Sequence, residues 1–215
     1  MVSTERLVED AEKEWLEIWV SGPGDNRSKP LDPGTSAPDL ELLDHNGTPR
    51  RLASFWSDGP ALLMFWRHFG CGCGLDRASR LSEEYEDYLA AGIYPVIIGQ
   101  GEPARAAEYR EKYDISCPIL CDPDYTVYTA YGLANFGVEQ VLYDAPEETW
   151  CHSKDIGLEF QEARRAIERP LVDNPWLSPG EFLVGPSGMI RTTYAYQYCS
   201  DYPDARVFTT AAKIL

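Results

Sequence analysis

"ALLMFWRHFGCGCGLD", residues 61–76, begins with six apolar residues and ends in alternating glycines and cysteines. The apolar run is bounded by Gly59-Pro60 before and Arg67-His68 after. That pattern reads as a strand buried on both faces, as strands of a parallel sheet are. Residues 75–91 follow with Leu75, Ala78, Leu81, Tyr85, Tyr88 and Leu89 at helical spacing, and with Asp76, Arg77, Arg80, Glu83, Glu84 and Asp87 assigned elsewhere. This is an amphipathic helix. The two cysteines, Cys71 and Cys73, therefore fall at the carboxyl end of a core strand, where a helix begins. Sites of open α/β sheets form at such strand ends.

The same rhythm continues downstream. "IYPVIIG" (93–99) is a second buried strand, and "EPARAAEYREKY" (102–113) is a helix with Pro103 near its first turn. "CPILCD" (117–122) is a third strand, and "DYTVYTAYG" (124–132) is a short helix ended by Gly132. Three strand–helix units in a row predict a mostly parallel sheet covered by helices. "GEFLVGPSGMIRTTYAY" then reads as two strands joined by a turn at Gly185-Pro186-Ser187-Gly188, and 203–215 as a terminal helix. The fold class is α/β: a thioredoxin-like central mixed sheet flanked by helices.

Three segments lie outside that core. Residues 3–20 read as a helix capped by Ser3 or Thr4, with Leu7, Ala11, Trp15, Ile18 and Trp19 on one face. Residues 21–39 are rich in Gly, Pro, Ser and Asp and read as an extended arm. "DLELLDHNGTPRRLASFW" predicts a hairpin with a two-residue turn at Asn46-Gly47. Residues 134–178 break the strand–helix rhythm and are expected to be an insertion over the sheet, with one helix near 157–168. The organisation is thus an N-terminal helix and arm (1–36) and a thioredoxin-like domain (37–215) carrying the insertion 134–178.

Composition bounds the function. Of 215 residues, 44% are hydrophobic and 25% charged, so the chain can bury a core without disulfide staples. A net charge of −16 repels nucleic acid and anionic membrane. The start "MVSTERLVEDAEKEW" shows no signal pattern, and no apolar run is long enough to span a bilayer. The expectation is a cytoplasmic protein without nucleic-acid or membrane partners. The six cysteines then read as free or catalytic thiols rather than structural bridges.

With these elements in place, the chain resembles the peroxiredoxin-like (alkyl hydroperoxide reductase / thiol-specific antioxidant, AhpC/TSA) branch of the thioredoxin fold. The resemblance is carried by "APDLEL" as the lead-in, "RHFGC" as the active-site approach and "VIIGQGEPARAAEYREKYDISCPILCDPDYTVYTAYGL" through the second and third strands. "GEFLVGPSGMIR" matches the closing hairpin. It covers 37–133 and 178–215. It implies a thiol-dependent oxidoreductase or peroxidase without a cofactor, acting on a peroxide or disulfide. A thioredoxin-like protein or small thiol would serve as reductant, and a homodimer is an expectation of the same resemblance. Two departures stand out. The P-x-x-x-T/S-x-x-C set is absent, since His68 occupies the Thr position and Met64 the Pro position. The second cysteine of the atypical C-x-x-C sits one residue early, at 73.

The site residues follow. Cys71 is the expected attacking thiol, because a helix N-terminus and nearby cations stabilise thiolate. Arg67 and His68 are candidates to supply charge or a proton. Cys73 is the expected resolving thiol. Residues i and i+2 of a helix point apart, so a direct pair needs non-helical backbone, which Gly72 and Gly74 permit. The alternative, with Cys73 toward the core and the resolving thiol elsewhere, stays open. Gly70, Gly72 and Pro179 are expected to present backbone to substrate, with Ser178-Pro179 cis or trans. Cys117 and Cys121, roughly 13 Å apart on a strand, cannot bridge and read as buried hydrophobes. Cys199 reads as structural or exposed. A separate reading makes the C-G-C pair a clip for Cu(I) or Zn(II), with His68 or Cys151-His152 as further ligands. Another makes the chain a redox-inactive interaction module.

Overall fold

The computed structural model describes residues 4–67 and 72–214. In chain order the helices are α1 (Thr4–Ser21), α2 (Gly72–Ala90), α3 (Pro103–Lys112), α4 (Thr126–Ala130), α5 (Val138–Leu142), α6 (Lys154–Arg165) and α7 (Arg206–Ala212). The strands are β1 (Glu41–Asp44), β2 (Pro49–Arg51), β3 (Ala61–Phe65), β4 (Tyr94–Gly99), β5 (Ile119–Cys121), β6 (Gly180–Val184) and β7 (Ile190–Ala195). They form one mixed sheet in the order β2-β1-β5-β4-β3-β6-β7. β3, β4 and β5 run parallel, while β1 and β6 flank them antiparallel.

β3 is buried along its whole length and feeds both faces of the sheet. Leu62 and Met64 pack under α2, α3 and α7 with Leu81, Tyr88, Ile97 and Phe208. Ala61, Leu63 and Phe65 face the other way, against Val127, Tyr128, Tyr131 and Phe182. Period-2 alternation on a strand with no solvent face produces the continuous apolar run of the sequence.

Both hairpins share one turn geometry. Asp44 N–H donates to Thr48 O and Gly47 N–H to Asp44 O; Gly185 N–H donates to Met189 O and Gly188 N–H to Gly185 O. Each is a three-residue loop closed by a glycine in the left-handed region, Gly47 at φ +74° and Gly188 at φ +75°. The expected two-residue turn at Asn46-Gly47 is therefore one residue longer. The Asp44 carboxylate selects it by accepting from the Asn46 and Thr48 amides.

The N-terminal helix and the insertion belong together. Trp15, Trp19 and Trp176 stack in series at 5.5 and 4.9 Å, and Phe160 of α6 meets Trp19 edge-on. Gly157 lets α6 close on α1, since a Cβ there would lie 2.6 Å from Leu16 Cδ1 and Trp19 Cδ1. The insertion thus packs on α1 rather than simply over the sheet, and Trp15, Trp19 and Trp176 are buried between them. The arm between α1 and β1 is bonded to the domain: Lys29 and Leu31 amides donate to Gly132 and Tyr131 carbonyls, and Ala37 to Gly188.

One face of α2 departs from the amphipathic reading. Leu89 is 40% exposed, whereas Arg77 is 2% exposed. Arg77 is buried because β6 supplies its partner, Glu181.

Candidate active site

The carboxyl ends of β3 and β4 are tied to the insertion. The Gln100 amide Nε2 donates to the Arg67 carbonyl, and its Oε1 accepts from the Asn174 amide. Tyr128 donates its hydroxyl to the Trp66 and Ile98 carbonyls. These contacts fix Arg67 where β3 ends. Its guanidinium donates to the Pro175 carbonyl and, through Nη1, to Cys73 Sγ at 3.8 Å.

Cys73 sits in the first turn of α2, where unpaired amides and the helix dipole favour negative charge. It is disulfide-bonded. Cys117, Cys121, Cys151 and Cys199 are free. The helix is already under way at Gly72, three residues before the amphipathic reading begins it. Cys71, His68 and Gly70 lie outside the described residues. Gly72 opens α2.

A small cavity runs beside Cys73 and is lined in part by Arg67, Arg77, Pro179, Cys199 and Tyr202. It joins Arg67 at the end of β3, Pro179 just before β6 and the segment after β7. The Ser178–Pro179 peptide is trans, as are all described peptide bonds. Tyr202 donates its hydroxyl to the Cys73 carbonyl at 2.6 Å.

Beneath the cavity lies a buried ion pair. Arg77 Nε donates to Glu181 Oε1 at 2.9 Å, with side chains 2% and 1% exposed. Glu84 holds Arg77 Nη1 at 3.0 Å, and Tyr196 donates to Glu181 Oε1 at 2.6 Å. Burial works against the Arg77 charge, but Glu181, together with Tyr196 and Tyr88, more than offsets it, and the guanidinium stays protonated well above its ordinary range. Burial, seconded by Glu181, raises the Tyr196 hydroxyl, which remains a donor. The sequence reading missed this pair. Its signal was Glu181, one acid inside an otherwise apolar strand.

Cys199, expected to be structural or exposed, is half-buried and lines the Cys73 cavity. Burial pushes its thiol up from the ordinary value, while the charge of Arg67 pulls it down. The insertion positions it. Cys199 N–H donates to Gln140 O at 3.2 Å and its thiol to Val141 O at 3.3 Å, both on α5.

The remaining thiols lie away from this cavity. Cys117 and Cys121 are buried, and burial raises both to about 12. Cys151 is exposed, and the Ser153 hydroxyl lowers its thiol. His152 Nδ1 donates to the Val20 carbonyl at 3.2 Å, and the ring packs edge-on against Trp176. Among the described residues no group of three His, Cys, Asp or Glu side chains is arranged to hold a metal ion. No described helix is long and apolar enough to cross a membrane.

The AhpC/TSA family model matches residues 33–192, most of the chain. The chain belongs to the AhpC/TSA family. This AhpC/TSA chain is 31% identical over 91 residues to "Thioredoxin-like protein AAED1, chloroplastic" of Arabidopsis thaliana, covering 42% of this chain and 37% of that protein. It is 30% identical over 101 residues to "Thiol-disulfide oxidoreductase ResA" of Geobacillus thermodenitrificans, covering 46% of this chain and 57% of that one. The chain thus spans less than two thirds of the length of either relative. In fold it is similar to the crystal structure of peroxidoxin BcpB from Mycobacterium tuberculosis. The TM-score is 0.62 at 17% identity, over 86% of this chain and 98% of that one.

Proposed function

We propose that this AhpC/TSA protein is a thiol-dependent oxidoreductase acting on a peroxide or a disulfide, with Cys71 as the attacking thiolate and Cys73 as the resolving thiol. The observation that carries the reading is Cys73 itself: disulfide-bonded, in the first turn of α2, with the Arg67 guanidinium on its sulfur. In this reading its disulfide partner is Cys71, two residues away.

The Cys71 thiolate attacks one sulfur of a substrate disulfide, or one oxygen of a peroxide. A mixed disulfide or a sulfenic acid forms, and a thiolate or alkoxide leaves and is protonated. Cys73 then attacks the Cys71 sulfur, closes the Cys71–Cys73 disulfide and expels the second thiol or water. A small thiol or a thioredoxin-like protein returns the pair to the reduced state. Arg67 and the α2 amides stabilise negative charge on sulfur during these transfers. Trans Pro179 lines the cavity where substrate would approach, in support of the expected role of its backbone.

Steady-state turnover of wild type and Cys71→Ser, with hydrogen peroxide and with a model disulfide in parallel, tests the reading. Turnover on at least one substrate, lost in Cys71→Ser, is the expected result. Equal turnover in the two proteins would overturn it.

A further inference from the structure

We propose that Cys199 is a third exchangeable thiol of the site, which takes over the disulfide from Cys73. The inference rests on the reading above, in which the Cys73 partner is Cys71. Three observations carry it. Cys199 and Cys73 line the same cavity. The segment bearing Cys199 is bonded directly to the Cys73 turn, through the Tyr202 hydroxyl on the Cys73 carbonyl at 2.6 Å. Arg67 donates to Cys73 Sγ and its charge also acts on the Cys199 thiol, so one cation serves both sulfurs.

The placement is built rather than incidental. α5 holds Cys199 by its amide on Gln140 O and its thiol on Val141 O. Gln140 Nε2 donates to Gln197 O at 3.1 Å, and the Asp201 carboxylate accepts from Tyr194 and from the Gln197 amide. The insertion thereby delivers a thiol to a site that already contains one disulfide.

The exchange needs no external oxidant. Cys199, as thiolate, attacks Cys73 Sγ. The bond from Cys73 to its partner sulfur breaks as the Cys73–Cys199 bond forms. The partner sulfur leaves as thiolate and takes up the proton that Cys199 released. One disulfide replaces another, and Cys71 is free to attack again while the oxidation waits on a half-buried thiol.

A cross-linking map of the full chain tests this. Reduced Cys71→Ser is oxidised with diamide, alkylated and digested with trypsin. Cleavage after Arg67, Arg77, Arg191 and Arg206 puts Cys73 in peptide 68–77 and Cys199 in peptide 192–206. The expected result is a joined 68–77/192–206 species, lighter by two hydrogen masses than its separate thiol peptides and absent from Cys71→Ser/Cys199→Ser. Recovery of both peptides only in alkylated form, from protein with an unchanged circular dichroism spectrum, overturns the inference. The turnover comparison given above separately decides whether Cys71 is the attacking thiol, so the two failures are distinguishable.

Discussion

Arg67 Nη1 lies 3.8 Å from Cys73 Sγ, at the junction of β3 and α2. A cation about 4 Å from a sulfur contributes little to a disulfide but stabilises a thiolate. That interaction is worth about 1 kcal/mol in water and about 4 kcal/mol near a protein surface. Removing the charge should therefore shift the thiol–disulfide equilibrium toward the disulfide. Arg67→Met should become at least about fivefold harder to reduce in a glutathione redox titration, since 1.4 kcal/mol is a factor of ten. Arg67→Lys should keep most of the wild-type midpoint. An unchanged midpoint in Arg67→Met would remove Arg67 from the redox site.

The Arg77–Glu181 pair should behave as a buried ion pair that cannot lose one member. Glu181→Gln leaves a buried guanidinium with Glu84 as its remaining carboxylate, and turns one of the two oxygens shared by Arg77 and Tyr196 into an N–H donor. A loss of about 3 kcal/mol in urea unfolding is expected, at the low end for a broken buried pair because Glu84 remains. The double variant Arg77→Met/Glu181→Gln should recover part of that loss. Equal stability of Glu181→Gln and wild type would mean that the pair is not closed in solution.

Gly157 sets two effects of opposite sign against each other. Glycine to alanine within a helix ordinarily stabilises by about 0.5–1 kcal/mol. Here the added Cβ would meet Leu16 and Trp19 at 2.6 Å, and overpacking of that kind costs about 1–3 kcal/mol. Packing wins, so Gly157→Ala should be destabilised. Its tryptophan emission should shift red as α6 moves off the Trp15–Trp19–Trp176 stack.

The buried thiols make stability depend on alkaline pH. Burial raises Cys117 to about 12, against about 8.5 for a thiol in an unfolded chain. The folded state therefore holds its proton longer than the unfolded state. The stabilisation is complete below the unfolded value and is lost as pH rises from there toward about 12. Each such thiol contributes a slope of up to about 1.4 kcal/mol per pH unit in that window. Urea midpoints measured across the window should fall less steeply in Cys117→Ala than in wild type. Parallel pH dependences would show that Cys117 titrates normally.

The β3–α2 unit was legible because its periods are unambiguous: six apolar residues in a row, then apolar positions at helical spacing. The contact between Arg67 and Cys73 was legible, since a strand-to-helix junction draws residues close in sequence to one place. Cys199 and Tyr202 were not, because they reach the cavity from a loop more than a hundred residues away, and Glu181 was not, because it reaches Arg77 from a strand equally distant in sequence. α5 is a single turn and a half whose role is to hold another segment, and it carries no amphipathic pattern to read. The tryptophans of α1 announced a buried face but not its partner. That partner is an irregular insertion whose only periodic piece, α6, gives no direction of packing.

In the proposed cycle the glycine-flanked cysteines form a reversible pair, and the mass of one tryptic peptide reports on that pair. Peptide 68–77 contains both Cys71 and Cys73 and no other cysteine. After one equivalent of oxidant and alkylation of remaining thiols, this peptide is expected unalkylated and two hydrogen masses lighter than its dithiol form, with thiol treatment restoring both alkylation sites. Recovery of the peptide from oxidised protein with both cysteines alkylated would contradict it.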